Sequence, residues 1–276
     1  MITTKEDLLK LFHDLDIKPS DDVMLHSSMN SLGYVVNGAV DIIDALMTTV
    51  DINEGTILMP SSTGQLTDPS SWSNPPLKNK DHIRIVKEKM NPLDLNLTPV
   101  RNRGIISQTF LSYAGIKRSN HPLNSVSALG KQASYYTSSH NFDEPEGLDS
   151  PIGKLYKNNG KVVGIGVPIS TFTSIHLAEY IADVHYLYTD NPSVLIKQEN
   201  GKNIFKKIKK YPVNSQRFVN VLPILRKKQL ITEIYYNRNV MISLSIKPVI
   251  DCIVNILKKS PEFLISTNPQ VVDEYI

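Results

Sequence analysis

Val162-Val163-Gly164-Ile165-Gly166-Val167 is an unbroken apolar run with the composition of a buried strand. Shortly after it, Thr173-Ser174-Ile175-His176-Leu177-Ala178-Glu179-Tyr180 opens a short helix, with Thr171 or Thr173 placed to cap it. Residues three apart on a helix share a face, so His176 and Glu179 fall within reach of each other. A carboxylate beside an imidazole raises its pKa and fixes its orientation, which is what a general base acting on an amine needs. By spacing alone the same two residues also describe an exposed helix pair worth a few tenths of a kcal/mol.

Further strand and helix units flank this one. Thr3 and Glu6 have the spacing of a capping box ahead of Leu8, Leu9, Phe12 and Leu15 at helical period. Val23-Met24-Leu25-His26-Ser27-Ser28 is a buried strand whose carboxyl end carries polar groups, the place where α/β sheets gather ligands. The small, hydroxyl-rich segment from Ser27 through Ser31, Leu32 and Gly33 to Tyr34 leads into a helix over 39–50. Its backbone N–H groups and hydroxyls suit a phosphate or an acyl carbonyl. Thr56-Ile57-Leu58-Met59-Pro60 and Val126–Gly130 are further strands, and helices are expected over 81–89, 105–113 and 131–138. Ser150-Pro151 starts another. Past Asp183 the signals weaken to a hairpin around Val194–Lys202 and amphipathic helices over 218–225 and 247–257.

The chain has 276 residues, 41% of them hydrophobic, enough for one large domain with a substantial core, and no linker divides it. Its single cysteine, Cys252, excludes an internal disulfide or a cysteine-based zinc site and is expected to be a buried core thiol. The histidines fall singly, in no metal-ligand spacing, so no metal is expected. With no secretory leader and no run of about 18 apolar residues, a cytoplasmic location is expected, with no membrane partner. Charge is uneven: residues 1–196 carry 16 basic and 21 acidic side chains, and 197–276 carry 14 and 6. The acidic part favours a cationic substrate. The cluster Lys206-Lys207-Ile208-Lys209-Lys210 is too short and too poor in aromatics to imply nucleic acid.

Three loops hold candidate binding groups. Asp68 and Trp72, the only tryptophan, pair an acid with an aromatic plane, which suits a sugar bearing an ammonium; the same tryptophan equally suits a loop anchor. Lys117-Arg118-Ser119-Asn120-His121-Pro122 combines cations with polar groups, and the proline projects His121 from a loop. Asp143, Glu144, Glu146 and Asp149 put four acids in nine residues, a field for a polycation if it faces the cleft.

In order, Leu25-His26-Ser27-Ser28 with Ser31-Leu32-Gly33, Gly55–Pro60, Asp68-Pro69-Ser70, Arg118–Pro122, Ser150–Tyr156 and His176-Leu177-Ala178-Glu179-Tyr180 resemble the aminoglycoside 3-N-acetyltransferase family, the antibiotic N-acetyltransferase fold distinct from the GNAT enzymes. The resemblance spans about residues 20–181. It implies a mixed central sheet with helices on both faces, in one acetyltransferase-like domain over 1–276 whose motifs lie in 1–183, followed by a divergent basic part over 184–276. It implies transfer of an acetyl or other short acyl group from acyl-CoA, as co-substrate, to an amine, with His176 as base and Glu179 supporting it. His26, Ser27, Ser28, Ser31, Leu32, Gly33, Arg118, Ser119, Asn120 and His121 are then expected around CoA, with Arg118 pairing a phosphate. Asp68, Trp72, Asp149, Glu179 and Asp183 are expected around the acceptor. Where the family tends to carry Arg after Glu-Tyr this chain has Ile181, and Lys78-Asn79-Lys80 stands where relatives place tryptophans. The acceptor is therefore an aminoglycoside or another amino-sugar-like amine, and a homo-oligomer is left open. A serine hydrolase or thioesterase using Ser27 or Ser28, which lacks the Gly-x-Ser-x-Gly elbow, and a non-catalytic CoA binder are the alternatives.

Overall fold

The strand expected at Val23–Ser28 forms as β2 (Asp22–Ser27), the middle of a seven-stranded sheet in the computed structural model, which describes residues 1–186, 191–198, 200–208 and 215–267. Before it come the short β1 (Ile2–Thr3) and α1 (Lys5–Asp14). The capping box is shifted by one from the expected position: Thr4 Oγ1 accepts from Asp7 N (3.3 Å) and the Asp7 carboxylate accepts from Thr4 N (2.9 Å). Thr3 instead lies in β1, where its hydroxyl donates to Leu32 O at 2.5 Å. After β2 follow β3 (Tyr34–Val35), parallel to β1, then α2 (Ala39–Thr49) and β4 (Thr56–Pro60). A long connection carries α3 (Lys80–Lys89) and α4 (Gly104–Phe110), and β5 (Lys117–Arg118) and β6 (Val126–Gly130) complete one edge of the sheet.

Next are α5 (Ala133–Thr137), α6 (Pro151–Lys157), β7 (Lys161–Ile165) and α7 (His176–Ala182). The hairpin β8 (Ser193–Lys197) and β9 (Asn203–Lys207) stands apart from the main sheet. A 3₁₀ stretch over Ser215–Val221 runs into α8 (Leu222–Lys227). β10 (Thr232–Tyr236) and β11 (Asn239–Ser245) then return to the sheet, and α9 (Ile246–Lys259) follows. The strand order is β10-β11-β7-β2-β4-β6-β5, with β2 parallel to both β4 and β7 and the outer pairs antiparallel.

Alternation at period two assigns the faces. Met24, Leu58 and Val162 pack with α5, α6, α7, α8 and α9 on one side; Val23, Leu25, Ile57, Met59, Val163 and Ile165 pack with α1, α2 and α4 on the other. The mixed sheet with helices on both faces is thus present, and residues from both the motif-bearing part and the part after Asp183 build it. Cys252 is half-buried rather than enclosed, because α9 turns Val249, Ile250, Ile253 and Leu257 inward and leaves Cys252 at the margin, where burial pushes its thiol up. Among the described residues no helix is long and apolar enough to cross a membrane.

At several glycines the neighbouring backbone leaves no room for a side chain, and at Gly130 a positive φ adds to the crowding. Gly130 ends β6 at φ +128, and a Cβ there would sit 2.4 Å from Gly55 O and 2.8 Å from Thr56 Cα. Gly130→Ala is expected to lower unfolding free energy by about 2 kcal/mol, since backbone strain at this φ and a clash of the added Cβ coincide. A urea titration with an unchanged midpoint would contradict that contact.

Candidate active site

Because β2, β4 and β7 run parallel, the segments leaving them emerge at one end of the sheet, the end where such folds bind ligands. A cavity of about 380 Å³ opens there. Its wall comes from Leu25 to Asn30 at the carboxyl end of β2 and just past it, Pro60 at the end of β4, Val167 and Thr171 after β7, and Asn102 to Ser107 at the start of α4. Gly166 permits this convergence: at φ +59 it turns the chain out of β7, and a Cβ there would collide with Ser31 Oγ at 1.8 Å.

His26 lines this cavity, and its buried Nε2 meets no hydrogen-bond partner. Its ring stacks on Phe172 at 5.2 Å and 17°. Burial, reinforced by the positive charge of Arg103, pulls its pKa down to about 3, so it is neutral. Ser27 and Ser28 line the same wall, and no histidine bonds to either hydroxyl among the described residues, so the pair a serine hydrolase needs is not assembled there. The Ser28 and Ser31 amides donate to Ile165 O (2.9 Å) and Ser28 O (3.2 Å), which leaves the hydroxyls rather than these amides as donors. The Ser31 hydroxyl itself donates to Ser28 O at 2.6 Å. Leu32 is in the core and Gly33 turns the chain beneath Met1; neither is part of the cavity wall.

The loop of Arg118 is built differently from the expectation. Arg118 is buried, and each of its guanidinium nitrogens already donates: Nε to Ser125 Oγ (3.0 Å), Nη1 to Thr98 O (2.6 Å) and Nη2 to Ser61 O (2.7 Å). It is a tie across the sheet edge, not a phosphate ligand in the cavity, and desolvation pulls its pKa down to about 10. Ser119 is also buried, accepting from Val126 N (2.9 Å) and bonding His140 Nδ1 (2.9 Å); Asn120 is exposed. His121 does not project but is fully buried: its Nδ1 accepts from Leu123 and Asn124 N, and its Nε2 donates to Phe142 O at 3.2 Å. An imidazole can accept two local amides at a loop corner, which Pro122 makes sharp, so the ring turns inward.

Of the proposed acceptor residues, Asp68 pairs with Lys87 Nζ at 2.6 Å and accepts from Ser70. Burial pushes its carboxyl up, but the bonds from Lys87 and Ser70 together hold it below its ordinary value. Trp72 donates from Nε1 to Thr67 O (3.1 Å) under Arg101, whose guanidinium lies 5.9 Å from the ring, which is how a loop anchor behaves. Asp149 is 78% exposed, 3.8 Å from Lys157, and Asp183 is exposed after α7 in a left-handed conformation (φ 51). The acidic loop is turned partly inward, with Glu146 buried and hydrogen-bonded to Asn124.

The chain leaving β7 connects the cavity to the His176 helix. Val167 and Thr171 line the cavity and Phe172 backs His26, after which α7 opens at His176. Neither Thr171 nor Thr173 caps that helix. Two 3₁₀ turns, Ile169–Thr171 and Thr173–Ile175, intervene, and the cap position is Ile175 with no side-chain bond. His176 Nδ1 lies 2.5 Å from Glu179 Oε2, with the two side chains only 13% and 3% exposed. Tyr186 donates to Glu179 Oε1 at 3.0 Å, and the Phe218 ring meets the imidazole edge-on at 4.8 Å. This is a sealed pair, not the exposed one that spacing alone allowed. His176 is not itself in the cavity wall. Sequence reasoning passed over Arg103, Tyr186 and Phe218. The run Arg101-Asn102-Arg103-Gly104 ahead of a helix was the available signal for the first; the other two sit where no motif was read.

The chain matches the family model for aminoglycoside 3-N-acetyltransferase over residues 24–258, well past Asp183, where no resemblance had been read. It is 35% identical over 219 residues, 79% of each chain, to the SPbeta prophage-derived aminoglycoside N(3')-acetyltransferase-like protein YokD of Bacillus subtilis (strain 168). The crystal structure of YokD matches with a TM-score of 0.85 at 31% identity, covering 95% of this chain and 96% of YokD. Aminoglycoside N(3)-acetyltransferase IX of Micromonospora chalcea is 31% identical over 198 residues, 71% of this chain and 68% of that protein. AAC-IIIb in its binary complex with CoASH shares the fold, with a TM-score of 0.79 at 22% identity over 94% of this chain and 97% of that one. A fold and a sequence match of this extent mean that the chain belongs to the aminoglycoside 3-N-acetyltransferase family, a family of acyltransferases.

Proposed function

We propose that this protein moves an acetyl or other short acyl group from acyl-CoA to an amine of an aminoglycoside or amino-sugar-like acceptor, with His176 as general base. The observation that carries the proposal is the 2.5 Å contact between His176 Nδ1 and Glu179 Oε2 inside a nearly closed environment. With Nδ1–H held by the carboxylate, proton transfer runs through Nε2. The amine reacts as its free base, its ammonium proton having gone to water. His176 takes one of the remaining N–H protons as nitrogen bonds to the thioester carbon, and the carbonyl electron pair moves to oxygen and returns as the tetrahedral state collapses. When the C–S bond breaks, the CoA sulfur leaves as thiolate and His176 returns the proton to it. Glu179 stabilises the imidazolium that exists between the two transfers.

The cavity residues fit the CoA side. His26 has a buried ring nitrogen in need of a partner, Ser27 and Ser28 bring hydroxyls, and Arg103 brings a cation whose guanidinium pKa burial lowers. Unpaired buried polar atoms are unfavourable until something bonds them, which makes such a wall receptive to an amide-rich pantetheine chain. Hydroxyl donors near the carbonyl would stabilise the oxyanion. The test is release of CoA thiol across a panel of amines, for the wild type and for His176→Ala.

Acceptor choice is assigned to Asp68, in the loop that Trp72 anchors. Asp68 is engaged by Lys87, which also lies 5.5 Å over the Phe205 ring, so the carboxylate is masked toward a cationic substrate. Lys87→Met is expected to lower KM for acceptors with three or more ammonium groups about threefold to fivefold, leaving kcat unchanged, because one partly exposed charge pair is worth up to about 1 kcal/mol. A KM series that stays flat with acceptor charge would reduce Asp68 to the cap of its own 3₁₀ turn.

A further inference from the structure

The carboxylate of Glu179 is held at both ends. Oε2 faces His176 Nδ1 at 2.5 Å, and Oε1 accepts the phenol O–H of Tyr186 at 3.0 Å. Tyr186 is buried, and it reaches this position because the chain reverses just after α7. Asp183 takes a left-handed conformation (φ 51), Val184 N donates back to Glu179 O at 3.4 Å, and Tyr186 is thereby folded over the helix it has just left. Burial, together with the Glu179 carboxylate, raises the Tyr186 pKa, so its proton stays on the phenol and the group is a fixed donor. Glu262, in the turns after α9, is the other charge that acts on it.

We infer that Tyr186 is a positioning residue for the base: its hydroxyl locks the Glu179 carboxylate, and through it the tautomer and tilt of His176. This rests on the assignment of His176 and Glu179 as the base pair. A glutamate bonded at one oxygen can turn about its terminal torsion, and the imidazole turns with it. Bonded at both, it presents a fixed acceptor to Nδ1–H, the arrangement by which an orienting group makes a histidine effective. Phe218 closes the other flank of the ring at 4.8 Å. Both Tyr186 and Phe218 come from the part of the chain beyond Asp183, the part that carried no legible motif. That part therefore completes the catalytic pair, besides adding strands to the sheet.

The experiment is a double-substitution cycle in the full chain. Tyr186→Phe keeps the ring and its packing and removes only the hydroxyl. It is expected to lower kcat about fivefold to tenfold, the net worth of one ordinary intramolecular hydrogen bond. KM for acyl-CoA and for the amine should stay within about twofold, since the hydroxyl is spent on Glu179 and Tyr186 is not in the cavity wall. In a Glu179→Gln background the same substitution should change kcat less than about twofold, because the group it positions is gone. Wild-type kcat in Tyr186→Phe, or fully additive effects in the double variant, would overturn the positioning role while a slow Glu179→Gln left the base pair standing. Normal turnover in both Glu179→Gln and His176→Ala would overturn the base pair and, with it, the role of Tyr186.

Discussion

Replacing His176 with alanine is expected to lower kcat for acyl transfer by a factor of about a hundred or more, while acyl-CoA still binds within about threefold of its normal affinity. The size follows from what the imidazole is assigned to do. As a neutral amine bonds to the thioester carbon its nitrogen becomes cationic, and the adduct reverts unless a base takes one N–H proton. Water near the site is a poor substitute for a held base. CoA binding should survive because the cavity wall is made by residues at the carboxyl ends of β2 and β4, after β7 and at the start of α4, and His176 is not among them. The fold should survive too, since His176 opens α7 at the end of the helix and lies outside the two large cores of buried apolar side chains. Thiol release measured with saturating acyl-CoA and amine, beside calorimetric titration of CoA into the same variant, separates chemistry from binding. Near-normal turnover with intact binding would remove His176 from the mechanism. Loss of CoA binding together with turnover would move it into the wall of the cavity.

The sheet was legible because its inner strands are locally unambiguous. Val23–Leu25, Thr56–Pro60 and Val162–Ile165 are apolar runs that propensity and burial both favour, and they lie within the strands that form. The β10–β11 hairpin was missed because the usual signs are absent. Its turn is Asn237-Arg238, both at positive φ (47 and 63), where Asn-Gly would have announced it, and β10 is an edge strand with no fully buried residue. The His176–Glu179 pair was legible from spacing, yet nothing local says whether such a pair is sealed or exposed. That depends on Tyr186 and Phe218, which arrive from a turn and from a 3₁₀ stretch far along the chain. Arg118 shows the reverse failure: a cation in a polar loop reads as a ligand for phosphate, and only the positions of the Ser61 and Thr98 carbonyls reveal it as a tie. The family's Ser150–Tyr156 stretch is structural in the same sense. Ser150 Oγ accepts from Gly153 N at 3.2 Å, and Lys154 Nζ caps the end of α5 by donating to Tyr135 O at 2.7 Å.

Acid is expected to destabilise this protein through two histidines that have no catalytic part, and His26→Phe should remove about half of that effect. Burial lowers the pKa of His26 to about 3, with the charge of Arg103 adding to it. Burial also lowers His140 to about 3, with His121 adding and the hydrogen bond to Pro145 O opposing. Both would titrate near 6.5 in the unfolded chain. Below that pH the unfolded state takes up a proton that the folded state refuses until about pH 3, so stability falls with pH through that window and is fully present above it. Each group contributes a slope of about 1.4 kcal/mol per pH unit, so the pair should take about 2–3 kcal/mol between pH 7.5 and 5.5. Phenylalanine at position 26 keeps the stack on Phe172 and carries neither a proton site nor a buried nitrogen without a partner. Its stability at pH 7.5 should therefore equal or exceed that of the wild type, and its loss on acidification should be smaller by about 1.4 kcal/mol. Urea unfolding of the two proteins at both pH values isolates this difference, because carboxylates elsewhere contribute equally to each. Identical losses in the two would mean that His26 is already protonated in the fold, and the wall of the cavity would then be cationic at two positions instead of one.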